Sequence, residues 1–279
     1  MLRSISSLSV LICALGATPS CAAATAEKTV EQIFKEQGKA VVIVTNYGPG
    51  DIQQGFGSGF VVKPHGVFVT NFHVVELATA VSITLPDGQQ FRVSGILSLD
   101  PDNDLAVLKV DARNLPVVTL GDSDAVAVGQ RVVAIGSPMG LENTVSDGLV
   151  SAIRSEVGVK LFQISSPISP GSSGGALFNM KGEAVGVPFA QLTEGQNLNF
   201  AIPISYVKQL LSKPEVSRPL IPGAFVYQET DCPVIGNAKS DVYHIPGGQY
   251  YDQMRFSPDR VCLRSEEEAR RTGFRRSSR

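Results

Sequence analysis

The sequence predicts an all-β protein whose many short strands form a sandwich or a pair of barrels. Between residues 40 and 202, short apolar runs alternate with turn signals such as Pro-Asp-Gly at 86–88 and Met-Lys-Gly at 180–182, as antiparallel hairpins do. Of the 279 residues, 27 are Gly and 17 are Pro, and only 18% are charged, which favours a turn-rich β fold over a helical bundle. Because no helical periodicity separates the apolar runs, they indicate barrels or a sandwich.

The predicted strands share a high content of Val, Ile, Leu and Phe. They lie at residues 41–45, 59–62, 67–70, 81–85, 105–110, 131–135, 145–153, 161–164 and 184–187. Apolar residues at helical spacing predict short flanking helices within 27–38 and 204–212.

The first 26 residues have the pattern of a cleavable signal peptide. Arg3 provides the positive charge, residues 8–16 are apolar, and small residues follow at 22–26. The apolar stretch is far shorter than the roughly 20 residues that span a bilayer. A retained amphipathic anchor and a lipoprotein modified at Cys21 are the alternatives. The segment predicts export, so the mature protein is expected to be periplasmic or secreted.

Charge and cysteine content restrict the partners and the chemistry. A net charge of −2 gives no strong electrostatic attraction to nucleic acid or anionic lipid, and no nucleic-acid partner is expected. Removal of the signal peptide would leave Cys232 and Cys262 in an oxidising compartment, where we expect them to form one disulfide.

Prolines at 214, 219 and 222 predict a linker over residues 214–222. Residues 27–213 then form the main domain. Residues 223–279 differ from it in composition and form a small appendage.

A glycine-rich segment contains the first candidate catalytic group, Ser173. It is preceded by Gly171 and Ser172 and followed by Gly174 and Gly175. A serine nucleophile needs an exposed hydroxyl and two backbone N–H groups directed at the oxyanion, and neighbouring glycines permit the unusual backbone that this requires. The N–H groups of Gly171 and Ser173 are the candidate oxyanion hole. A plain Gly/Ser surface turn is the alternative.

Two further segments supply a candidate base and its orienting acid. His73 lies in an apolar run after a predicted strand, and Asp104 directly precedes another. An ionised carboxylate at such a place is costly without a partner, and the imidazole of His73 would be that partner. Considered without the other two segments, a histidine in an apolar run such as His73 is more often a core residue than a catalytic one.

The order His73, Asp104, Ser173 is that of the chymotrypsin-type triad, and it excludes the subtilisin and α/β-hydrolase orders. His73 would act as general base and then as general acid, while Asp104 would orient its ring. The fold expected from this order is a chymotrypsin-like double six-stranded β-barrel.

Further motifs resemble the protease domain of the bacterial HtrA/Deg family across about residues 28–213. They follow in that family's order at 57–61 (GSGFV), 120–123 (LGDS), 134–140 (AIGSPMG), 145–148 (VSDG) and 199–203 (NFAIP). The resemblance implies ATP-independent endoproteolysis of unfolded or damaged envelope proteins and protease domains that associate as homotrimers. No cofactor or metal is expected.

Three features depart from that family. Ser172 stands where an Asn is usual, the segment between Asn46 and Phe56 is short, and no PDZ domain is expected after the protease domain.

In this fold, the pocket for the substrate residue before the cleaved bond (P1) lies between the segment before the nucleophile and the strand after it. Ile168, Val187 and Phe189 are the candidate contacts, and they favour a small or medium aliphatic P1 side chain. An ordinary core role for Ile168 and Phe189 is the alternative. No acidic residue stands where a preference for Arg or Lys would need one.

The C-terminal appendage resembles a small bacterial module called the sunset domain across residues 234–276. Gly248 stands where a zinc-binding relative would have Cys, so no zinc is expected. The alternative is that Cys232, His244 and Cys262 form an incomplete set of metal ligands. Five arginines lie between 270 and 279; they form a solvated tail or bind an anionic partner.

Two other functions compete with an active endopeptidase. A catalytically silent, peptide-binding or chaperone-like pseudoprotease would keep the barrels but lack turnover. An envelope tethering protein would depend mainly on its appendage.

Overall fold

Twelve strands between residues 41 and 203 close into two antiparallel barrels of six strands each, which confirms the predicted double-barrel fold. The computed structural model describes residues 27–137, 143–156, 159–191, 199–219, 234–237, 239–245, 260–263 and 265–277.

The first barrel is a six-stranded sheet that closes on itself. Its strands are β1 (Val41–Tyr47), β2 (Gln53–Lys63), β3 (Val67–Thr70), β4 (Ala80–Thr84), β5 (Gln90–Asp100) and β6 (Leu105–Val110). They are ordered β5-β4-β1-β2-β3-β6, and β6 pairs again with β5.

The second barrel has the strand order β10-β11-β12-β9-β8-β7. Its strands are β7 (Arg131–Gly136), β8 (Thr144–Glu156), β9 (Val159–Ile164), β10 (Ala176–Asn179), β11 (Ala184–Gln191) and β12 (Asn199–Pro203). The segment that contains Ser173 connects β9 to β10.

Strands β5, β10 and β12 were not among the sequence-predicted strands, for a physical reason in each case. Strand β5 places polar side chains on its exposed positions, so it lacks an apolar run. Strand β10 has only four residues and follows the glycine-rich segment. Strand β12 begins with Asn and ends with Pro.

The described residues include four α-helices beside the strands. They are α1 (Val30–Gln37), α2 (Phe72–Val75), α3 (Ile204–Leu211) and α4 (Glu266–Arg271), and 3₁₀ turns lie at Gly38–Ala40 and Pro49–Asp51. Thr29 and Gln32 form a capping box at the start of α1. Helices α1 and α3 were predicted; α2, a single turn after β3, was not.

The largest buried cluster joins the two barrels. It unites Phe60 and Leu105 of the first barrel with Ile135 and Phe178 of the second, and Ile33 of α1 packs into it without solvent exposure. Each barrel also has its own apolar cluster. The seam between the barrels is therefore fixed by burial of apolar surface on both sides.

The described part of the predicted linker contacts the first barrel. Strand β13 (Arg218–Pro219) pairs with β5 at Ile96 and Gly95. Glu215 forms an ion pair with Lys63 and lies 3.0 Å from His65 Nε2.

The appendage contains a small sheet ordered β16-β14-β15-β17. Its strands are β14 (Val234–Asn237), β15 (Val242–His244), β16 (Arg260–Leu263) and β17 (Arg275–Arg276). Val234, Tyr243, Leu263 and Ala269 form its core. None of the helices in the described ranges is long and apolar enough to cross a membrane.

Candidate active site

The carboxylate of Asp104 holds His73 by two hydrogen bonds. His73 Nδ1 lies 2.7 Å from Asp104 Oδ2, and the backbone N–H of His73 donates to Asp104 Oδ1 over 2.9 Å. Since an ionised carboxylate only accepts, Nδ1 carries the ring proton, and Nε2 of the neutral ring is free to accept another. The His73 side chain is 46% exposed and that of Asp104 is 23% exposed, so the ring is accessible while its partner is shielded.

Asp104 adopts a backbone conformation that is unusual for a residue with a side chain. Its φ is +50°, in the left-handed region that favours glycine. Its carbonyl accepts two hydrogen bonds, from Phe72 N–H at 3.1 Å and from Asn71 Nδ2 at 2.8 Å. Strained residues of this kind persist where surrounding contacts determine them, and they are common at functional sites.

The segment around Ser173 is pressed against the first barrel. Ser173 O accepts a hydrogen bond from Ser58 N–H at 2.8 Å. Gly174 has φ +86°, and a Cβ there would lie 2.2 Å from Ser58 O and 2.5 Å from Thr70 Oγ1. Only glycine fits so close an approach, which explains why one follows the candidate nucleophile.

The same seam brings Ser173 near the segment that contains His73. A Cβ added to Gly57 would lie 2.6 Å from Val74, the residue after His73, and 3.2 Å from Ser173 O. Within the described ranges, Ser173 Oγ forms no hydrogen bond. The hydrogen bond between a serine nucleophile and its histidine base is often long in unliganded enzymes and tightens only when substrate binds.

Some of the peptide groups that flank the candidate oxyanion donors are anchored by hydrogen bonds. Ser172 N–H donates to Ser169 O at 2.9 Å, and Gly175 N–H donates to Ser172 O at 3.1 Å. Among the residues that the structure describes, neither Gly171 N–H nor Ser173 N–H donates a hydrogen bond. Within this part of the chain both donors are therefore without a partner, as the donors of an oxyanion hole must be before substrate binds.

A cavity of about 110 Å³ lies beside this segment. Ile168, Ser169, Ser172 and Pro188 contribute to its wall, with residues of β7 and β8 opposite. None of the described residues that line it is charged.

The other two predicted pocket residues are placed differently from Ile168. Val187 is fully buried in the core between the barrels. Phe189 is half-buried against the same core, with its ring centroid 6.4 Å from that of Phe200. Ile168 lines the cavity and is also buried in the core of the second barrel, whereas Val187 is not among the residues of the cavity wall.

Comparisons with known proteins agree with this geometry. Residues 57–187 match the family model described as a trypsin-like peptidase domain. A putative serine protease, HhoB, from Synechocystis is 42% identical over 185 residues, which cover 62% of this chain and 44% of HhoB. A probable periplasmic serine endoprotease, DegP-like, from Halomonas elongata is 43% identical over 164 residues, or 56% of this chain and 34% of that protein.

Solved structures give the same result. The structure of the HtrA-type protease AlgW with a tripeptide matches this chain with a TM-score of 0.60 and 31% sequence identity. The match covers 66% of this chain and 62% of AlgW. In these residues the chain is similar to trypsin-like peptidases and to HtrA-type serine proteases. It spans less than half of the two curated relatives, 44% and 34% of their lengths.

The predictions for the appendage fall largely outside the described residues. Cys232 and the side chain of Cys262 are not described, so their disulfide stays a prediction. His244 is buried, and this burial lowers the pKa of its imidazole. In the arginine-rich end, Nη1 of Arg270 lies 3.8 Å from Glu266 Oε2, and Nη1 of Arg276 lies 3.7 Å from the same oxygen.

Sequence reasoning did not single out the side chains of Ser58, Thr70 and Asn71. Ser58 bonds residues of the second barrel, Thr70 bonds Ser58 within the first barrel, and Asn71 bonds Asp104. The only available signal for Ser58 was its place between two glycines at 57 and 59.

Proposed function

We propose that this chain is an exported serine endopeptidase that cleaves unfolded or damaged proteins of the cell envelope through an acyl-enzyme. The observation that supports it best is the double contact of Asp104 with His73, next to a serine segment that offers two unpaired N–H groups. The names of the relatives, serine protease and periplasmic serine endoprotease, support the same activity and location.

In the proposed reaction, Ser173 Oγ attacks the peptide carbonyl carbon while His73 Nε2 accepts the hydroxyl proton. The carbonyl oxygen becomes an oxyanion that accepts hydrogen bonds from Gly171 N–H and Ser173 N–H. The C–N bond then breaks, and His73 transfers its proton to the leaving amine, so that an ester with Ser173 is left. His73 then accepts a proton from a water molecule whose oxygen attacks the ester carbonyl. The C–O bond to Ser173 breaks, and His73 returns the proton to Ser173 Oγ as the acid product leaves.

The substrate preference follows from the cavity beside Ser172. Its size, about 110 Å³, and its uncharged wall favour a small or medium aliphatic P1 side chain in contact with Ile168. An uncharged pocket would leave a buried Arg or Lys side chain without a partner, at a large free-energy cost.

Labelling with a fluorophosphonate tests the reaction. Wild-type protein and the neighbouring control Ser172→Ala are expected to take the label and to degrade casein, whereas Ser173→Ala does neither. A folded wild type that neither takes the label nor degrades casein would favour the peptide-binding pseudoprotease instead.

Location and assembly are parts of the proposal that need separate tests. Export predicts that the mature chain is found in the periplasmic or secreted fraction and lacks residues 1–26. A homotrimer predicts three times the monomer mass in light scattering.

An anionic partner of the arginine-rich end predicts that the full chain binds to anionic vesicles or glycans and that this binding weakens with salt.

A further inference from the structure

Ser58 is the residue where the two barrels and the glycine-rich segment meet. It lies in β2 and has no solvent exposure. Its backbone N–H donates to Ser173 O at 2.8 Å, and its carbonyl accepts from Thr70 Oγ1 at 2.7 Å. These backbone contacts leave its hydroxyl free for another role.

The hydroxyl of Ser58 links Gly171 to the second barrel. Ser58 Oγ donates to Gly171 O at 2.6 Å and accepts from Ser137 N–H at 2.8 Å. A carbonyl oxygen only accepts and an N–H group only donates, so the direction of both bonds is fixed. The hydroxyl proton of Ser58 must therefore point at Gly171 O.

The partner on the other side of Ser58 is itself anchored. Ser137 Oγ donates to Asn143 Oδ1 at 2.7 Å, and Asn143 Nδ2 donates to Gly38 O at 2.6 Å. A chain of hydrogen bonds thus runs from Gly171 to the turn that follows α1. Ser58 is held in place before any substrate arrives.

This contact matters because of the backbone freedom at Gly171. Its φ is +93°, a region where glycine has little steric constraint. Within the described ranges, no hydrogen bond anchors the peptide group between Pro170 and Gly171, which contains the first candidate oxyanion donor. The next peptide group, between Gly171 and Ser172, is held at its carbonyl by Ser58 and at its N–H by Ser169.

We infer that Ser58 is a positioning residue for the oxyanion hole: its hydroxyl holds the peptide group on one side of Gly171 Cα, which limits rotation of the neighbouring peptide group and favours an orientation of Gly171 N–H towards the developing oxyanion. This inference rests on the proposed function. Ser58 touches no reacting atom, and it acts through Gly171.

The test compares Ser58→Ala with Thr70→Val in the full chain, using a peptide substrate. Thr70→Val removes a neighbouring buried bond to Ser58 O but leaves the Ser58 hydroxyl in place. Loss of one oxyanion donor lowers kcat by about 100- to 1000-fold in serine proteases, so a misdirected donor is expected to lower it by about 10- to 100-fold. For Ser58→Ala we expect this fall in kcat with KM changed by less than about 3-fold, because only transition-state binding is lost.

Two readouts separate positioning from general loosening of the structure. Fluorophosphonate labelling of Ser58→Ala should slow in parallel with kcat, while binding of a product peptide stays unchanged. Hydrogen exchange over residues 166–176 should accelerate in Ser58→Ala and not in Thr70→Val. If Ser58→Ala does not fold, Ser58→Thr, which keeps a hydroxyl, must retain more turnover than Ser58→Cys, a weaker donor.

Equal losses in Ser58→Ala and Thr70→Val, or an unchanged kcat in Ser58→Ala, would overturn the inference while leaving the proteolytic function intact. A wild type that fails to react with the fluorophosphonate would instead refute the proposed function, and the inference with it.

Discussion

The side-chain amide of Asn71 donates to the carbonyl of Asp104 over 2.8 Å, and Asp104 in turn binds His73 through both oxygens of its carboxylate. Asn71 has no solvent exposure. The residue that orients the candidate base is therefore held in its strained conformation by a buried neighbour of that base.

Removal of the Asn71 amide should weaken catalysis through Asp104. We expect Asn71→Ala to lower kcat by about 10-fold or more, and the loss of a buried hydrogen bond to reduce the free energy of unfolding by about 1–3 kcal/mol. Steady-state kinetics and thermal unfolding measure the two effects. Asn103→Ala, which removes an amide bonded to Asp100 in the same turn, is the control. An equal loss of kcat in the control would argue against a specific role for Asn71.

Neutralising Asp104 should affect turnover much more than neutralising its neighbour. Asp104→Asn keeps the shape but favours the wrong tautomer of His73, and the corresponding change in trypsin-like enzymes lowers kcat by about 10⁴-fold. Asp102→Asn, at an exposed position of the same turn, is expected to be nearly silent. The measurement is kcat for a peptide substrate, and similar activities for the two variants would contradict the proposed triad.

The close approach at Gly174 predicts an unequal response of two glycines with the same backbone angle. Gly174 and Gly129 have φ of +86° and +85°, but a Cβ at Gly129 meets nothing within 4 Å. Gly129→Ala should reduce the free energy of unfolding only through backbone strain, by about 1–2 kcal/mol. Gly174→Ala also forces the Cβ against Ser58 O and should cost about 4 kcal/mol or prevent folding. Denaturant unfolding compares them, and equal costs would be inconsistent with the packing at this seam.

The contact between the predicted linker and the first barrel should depend on pH. Hydrogen bonds from Lys63 and then His65 lower the pKa of Glu215 below its ordinary value. The stabilisation is therefore complete above the unfolded-state pKa and is lost as the pH falls through the lower, folded-state value. Because the Glu215 side chain is 36% exposed, the effect is small, at most about 1 kcal/mol.

A comparison of Glu215→Gln with wild type tests this contact. The wild type should have the higher Tm at neutral pH, and the difference should disappear in acid. A difference that grows in acid would reverse the predicted sign.

The pocket predicts which bonds are cleaved. A peptide library should show cleavage after Val, Ala, Leu or similar residues, because the cavity wall is uncharged. Enlarging the cavity by Ile168→Ala should shift the preference towards larger aliphatic residues. Strict cleavage after Arg or Lys would exclude this pocket.

The sequence alone determined the fold class and the identity of the candidate triad. The alternation of apolar runs and turn signals reflects burial of one strand face, which is a local property that any β-barrel imposes on its sequence. The candidate triad was predictable because histidine is rare in this chain and the order of the three residues along the chain is diagnostic. His73 is one of only three histidines.

The tertiary structure decided everything that depends on contacts between distant segments. Ser58 and Gly171 are 113 positions apart, and nothing in either segment indicates that a hydroxyl would meet a carbonyl there. Val187 looks equivalent to Ile168 in the sequence, and both are buried, yet Val187 lies in the core between the barrels whereas Ile168 lies in the second barrel's own cluster and lines the cavity. Local patterns record which face of a strand is buried, whereas the partner that a buried polar group meets is set only when the two barrels pack together.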